Sequence, residues 1–188
     1  LGAMLPDFAS MCGARLAAQD DAAIADGVAL HHATDAVFHR APAVLGLFRD
    51  AEDRLRARGC RKGPMRAAAH VGVELLLDGV LVADAAYRSA YEGALAVDAA
   101  VAWRDPEGPV RFAALLARLR DHGAPRDLGG GAGVARRIER TLHGRALLAP
   151  DAGERAAIAA VMIELAPRVD AAARRFFNGN VRELRNAV

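Results

Sequence analysis

Alanine is the feature that most constrains this chain: it supplies about a quarter of the residues, while aromatics make up only 5%. Alanine is the best helix former and a poor strand former. That bias all but excludes an all-β fold and disfavours a parallel α/β fold. Hydrophobic residues reach 53%, enough for a packed core and too many for a disordered chain. At 188 residues one domain fits and two would be cramped. The expectation is therefore an all-α, single-domain bundle of about seven helices spanning residues 1–188.

Punctuation along the chain predicts the helices. Leu1 to Ala18 reads as an amphipathic start, bent near Pro6. Asp20 and Asp21 supply an N-cap for a helix to about Arg40, and Pro42 opens another that reaches Arg58. Gly59 and Gly63–Pro64 bracket a turn before a long helix from Met65 to about Val82. Asp84 to Trp103 follows, with Tyr87 and Tyr91 on one face. The Asp105-Pro106-Glu107-Gly108 turn leads into Pro109 to Asp121. His122 to Gly133, with Gly129-Gly130-Gly131, reads as a flexible loop. Helices from Val134 to Leu148 and Ala152 to Phe177 complete the set. Asn178-Gly179-Asn180 reads as a C-cap, leaving 178–188 as a tail.

Charge narrows the partners. Lys plus Arg is 25 against 23 for Asp plus Glu, too balanced for a protein that wraps nucleic acid, so none is expected. The basic residues are nearly all Arg, with Lys62 the sole lysine, which looks like coding bias. No apolar run reaches the ~20 residues of a membrane span, so no membrane association is expected. Cys12 and Cys60 form no disulfide framework and no Cys-x-x-Cys pair, which points to reduced thiols in a cytoplasmic protein. The sequence starts at Leu1 without a Met, and an N-terminal segment is expected to be missing. The oligomeric state is left open, with a homodimer among the options.

Two windows carry chemistry. His31, Asp35 and His39 recur at i, i+4 and i+8, and so do His70, Glu74 and Asp78; each triplet shares a helix face. The second triplet sits among Val71, Val73, Leu75, Leu76 and Leu77, which predicts a central helix with a buried polar stripe. Burying unpaired charge costs several kcal/mol. Two facing stripes can compensate each other, either by holding a divalent metal or by hydrogen bonding among themselves. An eight-residue step is ~12 Å of helix, so one ion cannot bind all three members of a stripe. Metal cluster and buried polar network stand as even alternatives. Arg136, Arg137, Arg140 and Arg145 give a basic helix face that suits either an acidic partner or plain solvation. The glycine run at 129–133 lacks the Lys-Ser/Thr and the preceding strand of a P-loop.

Leu1-Gly2-Ala3-Met4-Leu5-Pro6-Asp7-Phe8 resembles the Gly-Asn-x-Leu-x-Asp-Phe segment of the acyl carrier protein phosphodiesterases. Gly27-Val28-Ala29-Leu30-His31-His32-Ala33-Thr34-Asp35 is similar to that family's Gly-Ile-x-Leu-His-Arg-x-Ile-Asp. Pro42-Ala43-Val44 falls where a His-Pro-x-Val follows, and Glu74 to Leu81 where the family has an Asp and then Asp-His-Phe-Leu. The likeness spans most of the chain in order, with the first two segments the specific ones. It implies an HD-like helical fold and metal-dependent hydrolysis of the phosphodiester joining 4′-phosphopantetheine to acyl carrier protein, or of a related phosphodiester. The implied metal is Mn2+, with Mg2+ or Fe2+ as alternatives.

Three departures mark this chain: His32 replaces an Arg, Gly79 stands where the His of Asp-His belongs, and Glu74 replaces an Asp. His70, one turn before Glu74, is placed to replace the missing ligand. The resulting expectation takes Asp7, His31, Asp35, His70 and Glu74 as metal ligands. Asp35, Glu74 and Asp78 would be catalytic carboxylates, and His32, His39, Arg136 and Arg140 would contact substrate. Its rival is a non-catalytic helical ligand-binding or regulatory protein in which the same groups form a buried network.

Overall fold

The computed structural model describes residues 1–187, with side chains described through Ala173. It is all-α. The helices are α1 (Leu5–Cys12), α2 (Ala22–Phe38), α3 (Pro42–Ala57), α4 (Lys62–Ala83), α5 (Ala85–Ala96), α6 (Gly108–His122), α7 (Gly131–Leu142) and α8 (Ala152–Ala187). Short 3-10 turns cover Gly2–Met4 and Arg126–Gly129. No helix among the described residues is long and apolar enough to cross a membrane. The chain forms two compact units, one from Leu1–Phe38 and Ala86–Ala124, the other from His39–Ala85 and the chain from Pro125 onward.

The first unit packs around Leu5, Phe8, Ile24, Leu95, Phe112 and Leu115, all buried. Its start is locked by two glycines. A Cβ on Gly27 would lie 2.7 Å from the Ala3 nitrogen, and one on Gly2 would lie 2.6 Å from the Ile24 carbonyl oxygen. The first 3-10 turn therefore lies backbone to backbone on α2, which only glycine permits. Asp21 caps α2 as its sequence position predicts, its Oδ1 accepting from the Ala23 and Ile24 amides at 2.8 and 3.1 Å.

Several boundaries differ from the sequence expectation. α1 stops at Cys12 because Gly13 turns left-handed, with φ 61°. The following residues do not stay helical to Ala18. They run beside 102–104, where the Ala17 amide donates to the Ala102 carbonyl at 3.0 Å and the Arg104 amide to the Arg15 carbonyl at 2.9 Å. The Gln19 side chain brackets Ala102, donating to its carbonyl and accepting from its amide. The same pairing explains why α5 ends at Ala96 and leaves Trp103 outside a helix, in an isolated antiparallel bridge with Leu16.

In the second unit the glycine-rich stretch is not a flexible loop. A side chain on Gly131 would strike the Met162 backbone, and one on Gly133 the Asp127 carbonyl. These glycines press the start of α7 onto α8 and onto the turn before it. α7 then ends at Leu142 rather than Leu148, where Gly144 takes a φ of 75°. At the other end α8 continues through Asn178-Gly179-Asn180 to Ala187, so that triplet is no C-cap and the polar tail belongs to the helix.

Helix α4 is the centre of this unit. Met65, Ala68, Ala69, Val73, Leu76 and Leu77 are buried along it, following the i, i+3, i+4 pattern of one face. Its start is tied to the start of α8 by Glu154, only 5% exposed. Glu154 accepts from the Arg61 amide at 2.8 Å, and its other oxygen meets the Arg61 guanidinium at 2.6 Å. It also closes a reciprocal capping box, accepting from the Asp151 amide and donating its own amide to the Asp151 carboxylate, both at 2.9 Å.

These bonds, led by the Arg61 guanidinium, pull the Glu154 carboxyl down to about 2 from an ordinary 4.5. A lowered folded-state pKa contributes stability that is full above the unfolded value and is lost as pH falls through the folded one. The contribution is on the order of 3 kcal/mol, present above about pH 4.5 and gone near pH 2. Glu154→Gln is expected to lower stability at pH 7 by about 2–3 kcal/mol and to make the acid slope between those limits shallower. Urea unfolding at a series of pH values checks both; a variant with wild-type stability and slope would refute the assignment.

Candidate metal centre

The chain leaves α2 at Phe38 and enters α3 at Pro42. Proline at a helix start forces the residue before it out of helical geometry, and Ala41 is extended, with φ −64° and ψ 123°. His39 sits in this short turn. His70 and Glu74 lie one turn apart on α4. Their side chains come together: His70 Nε2 is 3.2 Å and His39 Nε2 3.7 Å from the same oxygen, Glu74 Oε1. The two imidazoles are parallel, with centroids 5.1 Å apart and planes 5° apart, and Phe48 of α3 stacks on His70 at 4.9 Å.

Among the described residues, His39, His70 and Glu74 are the group of three donors within 4.8 Å of one another. Two imidazoles and one carboxylate suit Mn2+, Fe2+ or Zn2+, and suit Mg2+ poorly because Mg2+ favours oxygen. The donor set fits a transition metal. Three protein ligands also leave coordination positions open for water or substrate, as catalytic sites require.

The polar row on α4 is not buried, which corrects the sequence expectation. His70 is half exposed, and Glu74 and His39 each retain about a third of their side-chain exposure. The apolar residues flanking the row turn inward, and the row itself winds along the outer side. The desolvation cost that a buried stripe would carry is therefore largely avoided. Asp78, four residues beyond Glu74, is exposed and lies outside the three-donor group.

Asp7, His31 and Asp35 belong to the first unit. His31 Nδ1 contacts the Ala3 carbonyl at 3.0 Å. A carbonyl only accepts, so Nδ1 is the donor in this contact. Asp7 Oδ2 is 4.0 Å from the same Nδ1. Desolvation pushes the Asp7 carboxyl up, against the pull of His31 and with a further push from Asp35. The glycine contacts at Gly2 and Gly27 set this geometry, because they bring Ala3 and Asp7 to the side of α2 that carries His31.

His32 is exposed and meets His31 edge to face at 5.4 Å. On α7, Arg137 takes both Asp127 oxygens, at 2.9 and 2.6 Å, and holds that carboxyl below its usual range. It is thereby committed to the fold, while Arg136 and Arg140 stay exposed. Cys12 and Cys60 are free thiols, and burial pushes both up, away from nucleophilic use.

The sequence reading placed His39 beside the substrate rather than among the ligands. Nothing in the spacing links it to His70, thirty-one positions later. The pointers to it are its place in the His31–Asp35–His39 recurrence, which the end of α2 at Phe38 interrupts, and its position beside a proline-started helix. Gly79 also acquires a reason. A Cβ there would collide with the Leu128 carbonyl, so the histidine expected from the resemblance has no room, and α4 meets the 126–129 turn through backbone instead.

No protein-family model matches the chain, and neither does any curated protein or solved structure.

Gly79→Ala is expected to cost about 2–4 kcal/mol through overpacking, and Gly79→His at least as much with no gain in metal affinity. Denaturant unfolding and metal titration of the two variants check this; wild-type stability in either would refute the close-approach argument.

Proposed function

We propose that this protein is a metal-dependent hydrolase of phosphodiesters, with His39, His70 and Glu74 as the metal ligands. The observation that carries the reading is the convergence of two imidazoles and a carboxylate from the α2–α3 turn and α4. The resemblance to the acyl carrier protein phosphodiesterases supports the choice of substrate class. In that finer form the substrate is the 4′-phosphopantetheine diester of acyl carrier protein or a related diester. Arg136 and Arg140 would then dock an acidic carrier.

His39, His70 and Glu74 would hold the divalent ion, which would supply Lewis-acid polarisation of a phosphoryl oxygen and activation of water. The chain's own groups do the rest. Phe48 fixes the plane of the His70 ring by stacking, so that its Nε2 stays aimed at Glu74 Oε1. Asp78, one turn further along α4, is assigned to proton transfer. Asp7, His31 and Asp35 stand where the resemblance puts that family's polar site residues; they lie in the first unit and are given no step at the His39–His70–Glu74 cluster.

A second reading keeps the same cluster without catalysis. Glu74 lies close enough to both histidines for the three side chains to satisfy one another directly. A helical binding or regulatory protein would use the network in that way.

Metal addition separates the two. With Mn2+ or Zn2+ in tenfold excess over Kd, the hydrolase reading expects Tm to rise by about 3 °C or more relative to EDTA. His70→Ala should abolish the rise. Hydrolysis of bis(p-nitrophenyl) phosphate should be stimulated by Mn2+ and fall at least ~100-fold in Glu74→Gln. A Tm indifferent to metal would sink metal binding altogether. Metal binding without turnover would leave the second reading standing.

A further inference from the structure

An open cleft of about 310 Å3 lies at the start of α4, lined by Arg56, Cys60, Lys62, Met65 and Arg66. Three of these five side chains are cationic and none is acidic. The neighbouring arginines are neutralised: Arg58 pairs with Glu164 at 2.6 Å, and Arg61 with Glu154 at 2.6 Å. Arg56 is steadied from its own helix by Asp53 and Glu52. Lys62 and Arg66, by contrast, have no carboxylate partner among the described residues. They stand four positions apart on α4, the spacing at which like charges repel.

We infer that this cleft is an anion subsite that takes the phosphate group of a small phosphate ester. Two uncompensated cations and a steadied guanidinium converge on one concavity, which an anion would relieve of its self-repulsion. Arg66 offers a planar fork of donors for phosphate oxygens, Lys62 a mobile point charge, and Arg56, held by Asp53 and Glu52, walls the cleft. The volume lies at the small end of ligand pockets, large enough for a phosphate ester and too small for an extended chain. The buried Cys60 and Met65 floor the cleft with apolar surface, against which the charge–charge contacts are less screened than in open water. The subsite stands independently of the metal-centre reading. Arg66 is one helical turn, ~6 Å of rise, before His70. If both hold, a substrate carrying a second phosphate would span them.

The test is thermal unfolding with inorganic phosphate, in EDTA so that metal plays no part, against sodium chloride of equal ionic strength. At phosphate tenfold above its Kd, Tm should rise by about 3 °C or more over the chloride control. Lys62→Ala and Arg66→Ala should each remove at least half of that rise, and the double variant all of it. Lys62→Arg should retain it, and so should His70→Ala, which disables only the metal centre. Absence of a phosphate-specific rise in the wild type would overturn the proposal. So would an undiminished rise in the double variant, or a rise lost in His70→Ala, which would place the phosphate elsewhere. The five variants alter three exposed positions, and chloride-only Tm values show whether each is folded.

Discussion

One carboxylate, Glu154, ties the first turns of the two longest helices together. It accepts from the backbone and guanidinium of Arg61 at the start of α4 and from Asp151 at the start of α8. Pinning a long helix at one end fixes both its height and its rotation against its neighbour. Glycines finish the alignment. A side chain on Gly72 would meet the Met162 thioether, and one on Gly79 the Leu128 carbonyl, so α4 is held at close range along one side. With that side committed to packing, the row carrying Lys62, Arg66, His70, Glu74 and Asp78 has to lie away from it. The position of the His70–Glu74 pair follows from where α4 can pack.

The His39–His70–Glu74 cluster, the candidate metal centre, draws on a modest energetic resource. Its histidines and carboxylate are partly exposed, so holding them costs little desolvation, and the Phe48–His70–His39 stack restrains the rings by van der Waals and aromatic contact. A cluster of this kind costs little to keep and is open to solvent. The first unit treats His31 differently, orienting it through a backbone carbonyl supplied by a glycine-tight turn.

Of the five expected ligands, His70 and Glu74 fall in the three-donor group, while Asp7, His31 and Asp35 lie in the first unit. The i+4 recurrence of His70 and Glu74 identified the face they share, because helical periodicity alone sets that relation. The Gly2 and Gly27 segments were singled out as motifs, and their glycines prove to be the contact between the first turn and α2. His39 was seen but given another role, since no local rule connects a turn residue to a helix thirty positions on. The burial of the polar row was misjudged because a run of apolar neighbours looks the same whether the helix is enclosed or covered on one side only.

The sequence by itself determined that this protein is helical, where α2 and α3 begin, and which residues on α4 share a face. Those properties follow from propensity, capping and periodicity, which act within a few residues. Only the tertiary structure decided that α1 and α5 stop early, that the glycine run is a packing surface, and that His39 meets His70 and Glu74. Apart from the end of α1, which Gly13 sets locally, these depend on contacts between segments far apart in the chain: a backbone pairing of 15–17 with 102–104, Gly131 against Met162, a turn residue against α4. Such contacts are set by which surfaces can close on one another, and no local pattern encodes that.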